Sequence, residues 1–221
     1  MPDPNLITLT DPRSPVAEAY RTLRTNLMFS SVDRAIRVLV VSSAVQGEGK
    51  STAAANLAVT LAQGGQRTLL VDCDLRKPSQ HVLWGVPNEQ GLTTMLLDIG
   101  ARDRPPLQPT ALESLSLLTS GPLPPNPADV IGSRRMEEVI AALREQADYI
   151  VFDAPPVLAV TDAALLALKT DGLLLILRAG VSRRDQTARA KQELERVNVP
   201  LIGAVLLDAP RDASVRAYYS N

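Results

Sequence analysis

Val38-Leu-Val-Val-Ser-Ser-Ala-Val-Gln-Gly-Glu-Gly-Lys-Ser-Thr52 runs into an amphipathic segment and then into Thr68-Leu-Leu-Val-Asp-Cys-Asp74. An apolar run entering a glycine-containing loop that ends in Gly-Lys-Ser predicts a strand, a phosphate-cradling turn and the opening of a helix. Glycines let successive backbone N–H groups converge on phosphate oxygens. The helix N-terminus adds a favourable dipole for anions. Gly47, Glu48, Gly49, Lys50, Ser51 and Thr52 are therefore the candidate nucleotide-phosphate residues. Ala44 stands where such loops usually begin with glycine. Lys50 is expected to reach the β- and γ-phosphates, and the Ser51 hydroxyl to bind magnesium.

Working outward, the second apolar run ends in Asp72 and Asp74, which flank Cys73 and so project to one side of an extended chain. Asp148-Tyr-Ile-Val-Phe-Asp153 is a third buried strand ending in a carboxylate. Three carboxylates at the carboxyl ends of parallel strands, beside a phosphate loop, sit where such folds bind ligands. Unpaired and buried they are costly, and a cation relieves the cost.

The remaining pattern alternates strands and helices. Strands are expected at 36–42, 68–71, 115–118, 148–153, 173–177 and 201–206. Helices are expected at 14–29, 50–63, 92–97, 128–146, 163–168 and 184–197, with a short helical piece around His81. This predicts an α/β fold, a mostly parallel β-sheet flanked by helices on both faces, built around the phosphate loop. Seven of the 17 prolines lie between Pro105 and Pro127, which excludes regular helix and interior strand from most of that segment. The domain reading is a loose arm over 1–13, a core over 14–208 and a mobile tail over 209–221.

Composition removes several alternatives. With one Cys and one His, a zinc site of the usual kind and an internal disulfide are excluded. A formal net charge of −1 supplies no global attraction for nucleic acid, and none is expected as a partner. The sequence shows no signal peptide and no apolar run long enough to span a bilayer.

Four segments together resemble the cytoplasmic catalytic domain of bacterial tyrosine kinases associated with capsule and exopolysaccharide synthesis. They are Ser42-Ser-Ala-Val-Gln-Gly-Glu-Gly-Lys-Ser51, Leu70-Val-Asp-Cys-Asp-Leu-Arg-Lys-Pro78, Ile150-Val-Phe-Asp-Ala-Pro-Pro156 and Glu18-x-x-Arg21-x-x-Arg24. Ser120-Gly-Pro-Leu-Pro-Pro-Asn-Pro127 is similar to the family as well. The resemblance implies a P-loop NTPase of the MinD/ParA-like superfamily, with ATP and Mg2+ as donor and protein tyrosine as acceptor. Tail tyrosines, here Tyr218 and Tyr219, would be phosphorylated in trans. It also implies a ring joined through Glu18, Arg21 and Arg24, a separate transmembrane activator of the polysaccharide co-polymerase type, and a protein-tyrosine phosphatase. The chain would then be cytoplasmic and recruited to the inner face of the membrane.

On chemical grounds a tyrosine hydroxyl benefits from a carboxylate that takes its proton. Asp72 is the first candidate and Asp74 the second, with Lys50 stabilising the transferring group. Ser51, Asp72 and Asp153 are the candidate magnesium residues. Arg76 is read either as a charge-stabilising group or as a salt-bridge partner. Two rival readings are a MinD/ParA-type ATPase switch and a nucleotide-dependent scaffold without catalysis. Those ATPases carry a lysine early in the loop where this chain has Val45.

Overall fold

The computed structural model describes residues 4–29, 35–98 and 100–209. The chain begins with α1 (Ile7–Thr10) and α2 (Pro15–Phe29), then β1 (Val38–Ser43), α3 (Lys50–Gln63) and β2 (Thr68–Asp72). Short helices α4 (Gln80–Trp84), α5 (Leu92–Leu97) and α6 (Gly100–Asp103) follow, then β3 (Gln108–Pro109) and β4 (Leu115–Leu118). The rest is α7 (Pro127–Gly132), α8 (Arg134–Gln146), β5 (Tyr149–Asp153), α9 (Asp162–Ala167), β6 (Gly172–Arg178), α10 (Arg184–Arg196) and β7 (Leu201–Leu207).

The strands form one sheet in the order β3-β4-β2-β5-β1-β6-β7. Every neighbouring pair is parallel except β3 with β4. The antiparallel strand lies at the edge and contains Pro109, where a missing N–H is tolerated. Alternation along the central strands divides the interior into two cores. Leu39, Val41, Leu70, Val151 and Leu174 pack against α3 and Trp84. Val38, Val40, Val71, Phe152 and Leu173 pack against side chains of α5, α8 and α9 on the other face.

Two expectations change. Residues 4–13 are not a loose arm. Leu6 is fully buried, and the Thr8 N–H and hydroxyl both donate to Asn56 Oδ1, at 3.1 and 2.8 Å. This cover explains why α3 is buried from Ala53 through Ala62 rather than along one stripe. The single helix expected at 128–146 is two, because Ser133 is extended (ψ 159°) and donates its hydroxyl to Val130 O at 2.6 Å. The tail expected over 209–221 lies outside the described residues from 210 onward.

Candidate phosphoryl-transfer site

The site forms at the carboxyl ends of β1, β2 and β5. The loop between β1 and α3 turns through Gly47 (φ 90°) and Gly49 (φ 86°), a backbone region that L side chains rarely adopt. A Cβ at Gly49 would also stand 2.9 Å from Leu207 Cδ1, which the leucine tip could relieve by turning, so it is the positive φ that calls for glycine here. Lys50 is the first residue of α3. Its Nζ lies 3.0 Å from Asp74 Oδ2, 3.2 Å from Asp153 Oδ1 and 3.2 Å from Ser51 Oγ. Burial alone would lower its pKa, but Asp153 and then Asp74 outweigh burial and hold it above the ordinary lysine value. Thr52 is exposed on the same first turn.

The two carboxylates expected at the end of β2 differ in their surroundings. Asp74, not Asp72, stands with Asp153 and Ser51 around one positive charge. Asp72 is fully buried and registered beside Asp153. Its Oδ2 accepts the Ser79 and Gln80 N–H groups at 2.9 and 2.8 Å, and its Oδ1 accepts the Asp74 N–H at 3.2 Å. Both oxygens are thus committed to the backbone as the chain curls out of β2. Burial first, and the Asp153 charge second, push the Asp72 pKa up to about 7 against the pull of those amides.

A raised carboxyl pKa means that the native protein keeps a proton which the unfolded chain releases near pH 4. Stability from this group is full below that value and is lost as pH rises towards 7. For nucleotide-free protein, denaturant midpoints should therefore fall across this window, and Asp72→Asn should flatten the fall. Parallel curves for the two proteins would contradict this assignment.

Further residues surround these groups, and Gln80 among them carries no sequence signal of a site role. Gln80, fully buried, donates to Asp153 Oδ2 at 2.8 Å and to Ser51 O at 3.0 Å. Glu48, expected among the nucleotide residues, turns its buried carboxylate inward. It accepts the Val45 N–H at 2.9 Å and the Ser182 hydroxyl, bracing the loop against the turn after β6. Arg76 binds Asp162 through two nitrogens at 2.9 and 3.1 Å and so is a salt-bridge partner in this arrangement. Across the mouth, Lys77 Nζ reaches Gln46 Oε1 at 3.3 Å. A hollow of about 290 Å³ lined by Glu137, Arg144 and Lys169 lies elsewhere, between α8 and the segment after α9, near the amino ends of β1 and β6 where the Asp171 N–H reaches Val38 O.

The strip on α2 divides. Glu18 and Arg21 pair at 2.6 Å on the surface, and Arg21 also donates to Pro12 O. Arg24 points back into its own chain and donates to Thr60 O at 2.8 Å, near the carboxyl end of α3. Tyr218 and Tyr219 lie outside the described residues.

Residues 39–218 match the CobQ/CobB/MinD/ParA nucleotide binding domain family. The chain is 43% identical over 202 residues to tyrosine-protein kinase YwqD of Bacillus subtilis, covering 91% of this chain and 85% of that one. It superposes on the chimerical protein CapA2B2 with a TM-score of 0.88 at 38% identity, covering 93% and 90% of the two chains. The kinase domain of the Escherichia coli tyrosine kinase ETK superposes with a TM-score of 0.85 at 30% identity, covering 95% and 82%.

Proposed function

We propose, for a chain that belongs to the bacterial tyrosine-kinase family within the MinD/ParA-like nucleotide-binding fold, that it transfers the γ-phosphoryl group of ATP to tyrosines in the tail of a neighbouring copy. The observation that carries this reading is the set of oxygens gathered around Lys50 Nζ at the opening of α3. Among the described residues no three His, Cys, Asp or Glu side chains converge as a metal site. Two carboxylates and a hydroxyl nevertheless suit magnesium, which binds through one or two carboxylates and takes further oxygens from phosphates and water. Ser51, Asp74 and Asp153 would hold it. Bound there, it would supply positive charge that offsets the charge on the phosphates.

The loop amides and Lys50 bind and orient the phosphates. As the tyrosine oxygen bonds to the γ-phosphorus, the bond from that phosphorus to the ADP oxygen breaks. The phenolic proton passes to a carboxylate. We assign this to Asp74 rather than Asp72: Asp74 Oδ1 accepts the Lys77 N–H at 3.0 Å but its Oδ2 faces Lys50 Nζ, whereas both Asp72 oxygens are engaged by backbone amides alone.

The test is incubation with γ-labelled ATP and Mg2+, with and without Lys50→Met, and with the pair Tyr218→Phe and Tyr219→Phe. Label on tyrosine that disappears in both variants supports tail phosphorylation. Release of free phosphate alone favours the ATPase switch, and nucleotide binding without either reaction favours a scaffold.

We further propose self-assembly through Glu18 and Arg21, with Arg24 anchoring α2 to α3 from within. Arg21→Glu should reduce the mass in solution to that of a monomer, while Arg24→Ala acts by loosening α2 and lowers thermal stability. An unchanged assembly in Arg21→Glu would exclude the strip as the contact. Among the described residues no helix is long and apolar enough to cross a membrane. Recruitment to the inner face of the cell membrane by a transmembrane activator of the polysaccharide co-polymerase type, service to capsule or exopolysaccharide synthesis, and reversal by a phosphatase complete the proposal. Co-purification of the chain with membranes only when such an activator is co-expressed is the corresponding check.

A further inference from the structure

We propose that Gln80 is a positioning residue for the cation-side oxygens, and that Trp84 sets which way its amide faces. The inference rests on the nucleotide-dependent reading above. Gln80 is fully buried and every polar atom of its side chain has a partner. The indole N–H of Trp84, one turn along α4, donates to Gln80 Oε1 at 3.2 Å. An indole can only donate, so the oxygen of the Gln80 amide must face it. That choice directs the NH2 group towards the site, where it has two protons and two acceptors: Asp153 Oδ2 at 2.8 Å and Ser51 O at 3.0 Å.

The consequence is geometric. Asp153 has one oxygen held by Gln80 and presents the other to Lys50 Nζ at 3.2 Å. Ser51 is held through its carbonyl, which fixes the first turn of α3 and with it the hydroxyl 3.2 Å from the same Nζ. The backbone N–H of Gln80 donates to Asp72 Oδ2 at 2.8 Å, tying the end of β2 to the same residue. Gln80 therefore orients two of the three oxygens around the cation position without touching that position. Residues that orient metal ligands in this way typically change metal affinity by about 10–100-fold when removed.

Trp84 is the only tryptophan in the chain, so its emission reports on this relay without labelling. The experiment measures ADP binding by calorimetry with and without Mg2+, and Trp84 emission during Mg2+ titration of the ADP complex. The proteins are the full-length wild type, Gln80→Met and Trp84→Phe. In the wild type, Mg2+ should shift the emission. In Gln80→Met, ADP binding without Mg2+ should stay within about twofold while the Mg2+ half-saturation rises about 10–100-fold. The emission shift should vanish although Trp84 is present. Trp84→Phe removes one hydrogen bond and should raise the half-saturation about three- to tenfold, and it keeps the inference testable if Gln80→Met fails to fold.

Equal weakening with and without Mg2+ in either variant, or an unchanged Mg2+ half-saturation, would overturn the positioning role. Wild-type protein that binds ADP with no effect of Mg2+ would overturn it too. A wild type that binds no nucleotide under either condition would instead remove the functional reading beneath it.

Discussion

Replacing Lys50 with methionine is expected to reduce tyrosine phosphorylation at least about a hundredfold, the scale seen when a single preorganised donor to a transition state is removed. The same change should lower the stability of metal-free protein by about 3 kcal/mol, because breaking a buried ion pair leaves charge uncompensated. Both carboxylates that face Lys50 Nζ are sequestered, with Asp153 wholly buried and Asp74 4% exposed. Methionine fills similar volume but leaves the two anions without a cation between them. Added Mg2+ should then stabilise the variant more than the wild type in the absence of nucleotide, since the ammonium no longer competes for Asp74 and Asp153. Thermal unfolding across a Mg2+ series measures both effects. A variant that gains no more from Mg2+ than the wild type would mean that Lys50 does not occupy the cation's place. In the wild type, bound nucleotide phosphates would offer the ammonium an alternative partner and free the carboxylates, so on this reading the phosphate loop and the cation site would be loaded together.

Those parts of the site that follow from local rules were legible in the sequence. A glycine turn before a helix fixes Lys50 and Ser51, and the end of an apolar strand fixes Asp153. Choosing between Asp72 and Asp74 was beyond the same rules, because alternate residues of an extended chain share a side. Their different surroundings depend on the return of the chain after β2, which brings the Ser79 and Gln80 amides onto Asp72 and leaves one oxygen of Asp74 to reach Lys50 while the other accepts the Lys77 N–H. Gln80, Ser182 and Asp162 were invisible for a different reason. Their partners lie 73, 134 and 86 residues away in sequence, and no spacing rule connects them. The amino-terminal segment misled through its composition. Three prolines in 1–13 suggest a loose arm, yet Leu6 is buried and Thr8 caps a polar side chain of α3.

Arg76→Met is expected to destabilise the protein more than Asp162→Asn, although each removes one partner of the same pair. The asymmetry follows from burial. The Asp162 side chain has no exposed surface, whereas that of Arg76 is 40% exposed. With Arg76 gone, a buried carboxylate loses both of its guanidinium hydrogen bonds and cannot recover them from water. A loss of about 2–3 kcal/mol is expected, at the low end for a broken buried pair because one side of this pair is already hydrated. With Asp162 changed to Asn, the side-chain oxygen still accepts from the guanidinium, and Arg76 can turn to solvent. That loss should stay near 1 kcal/mol. Urea unfolding of the two single variants and the double variant yields the coupling energy directly.

The pair also bears on phosphoryl transfer, since Arg76 is two residues from Asp74 and Asp162 opens α9 after β5. If Arg76 serves only as a clasp between these two strand ends, Asp162→Asn should leave the rate largely intact while Arg76→Met lowers it in step with stability. A rate loss in Arg76→Met that far exceeds its loss of stability would instead mean that Arg76 leaves Asp162 during the reaction to meet the phosphoryl group.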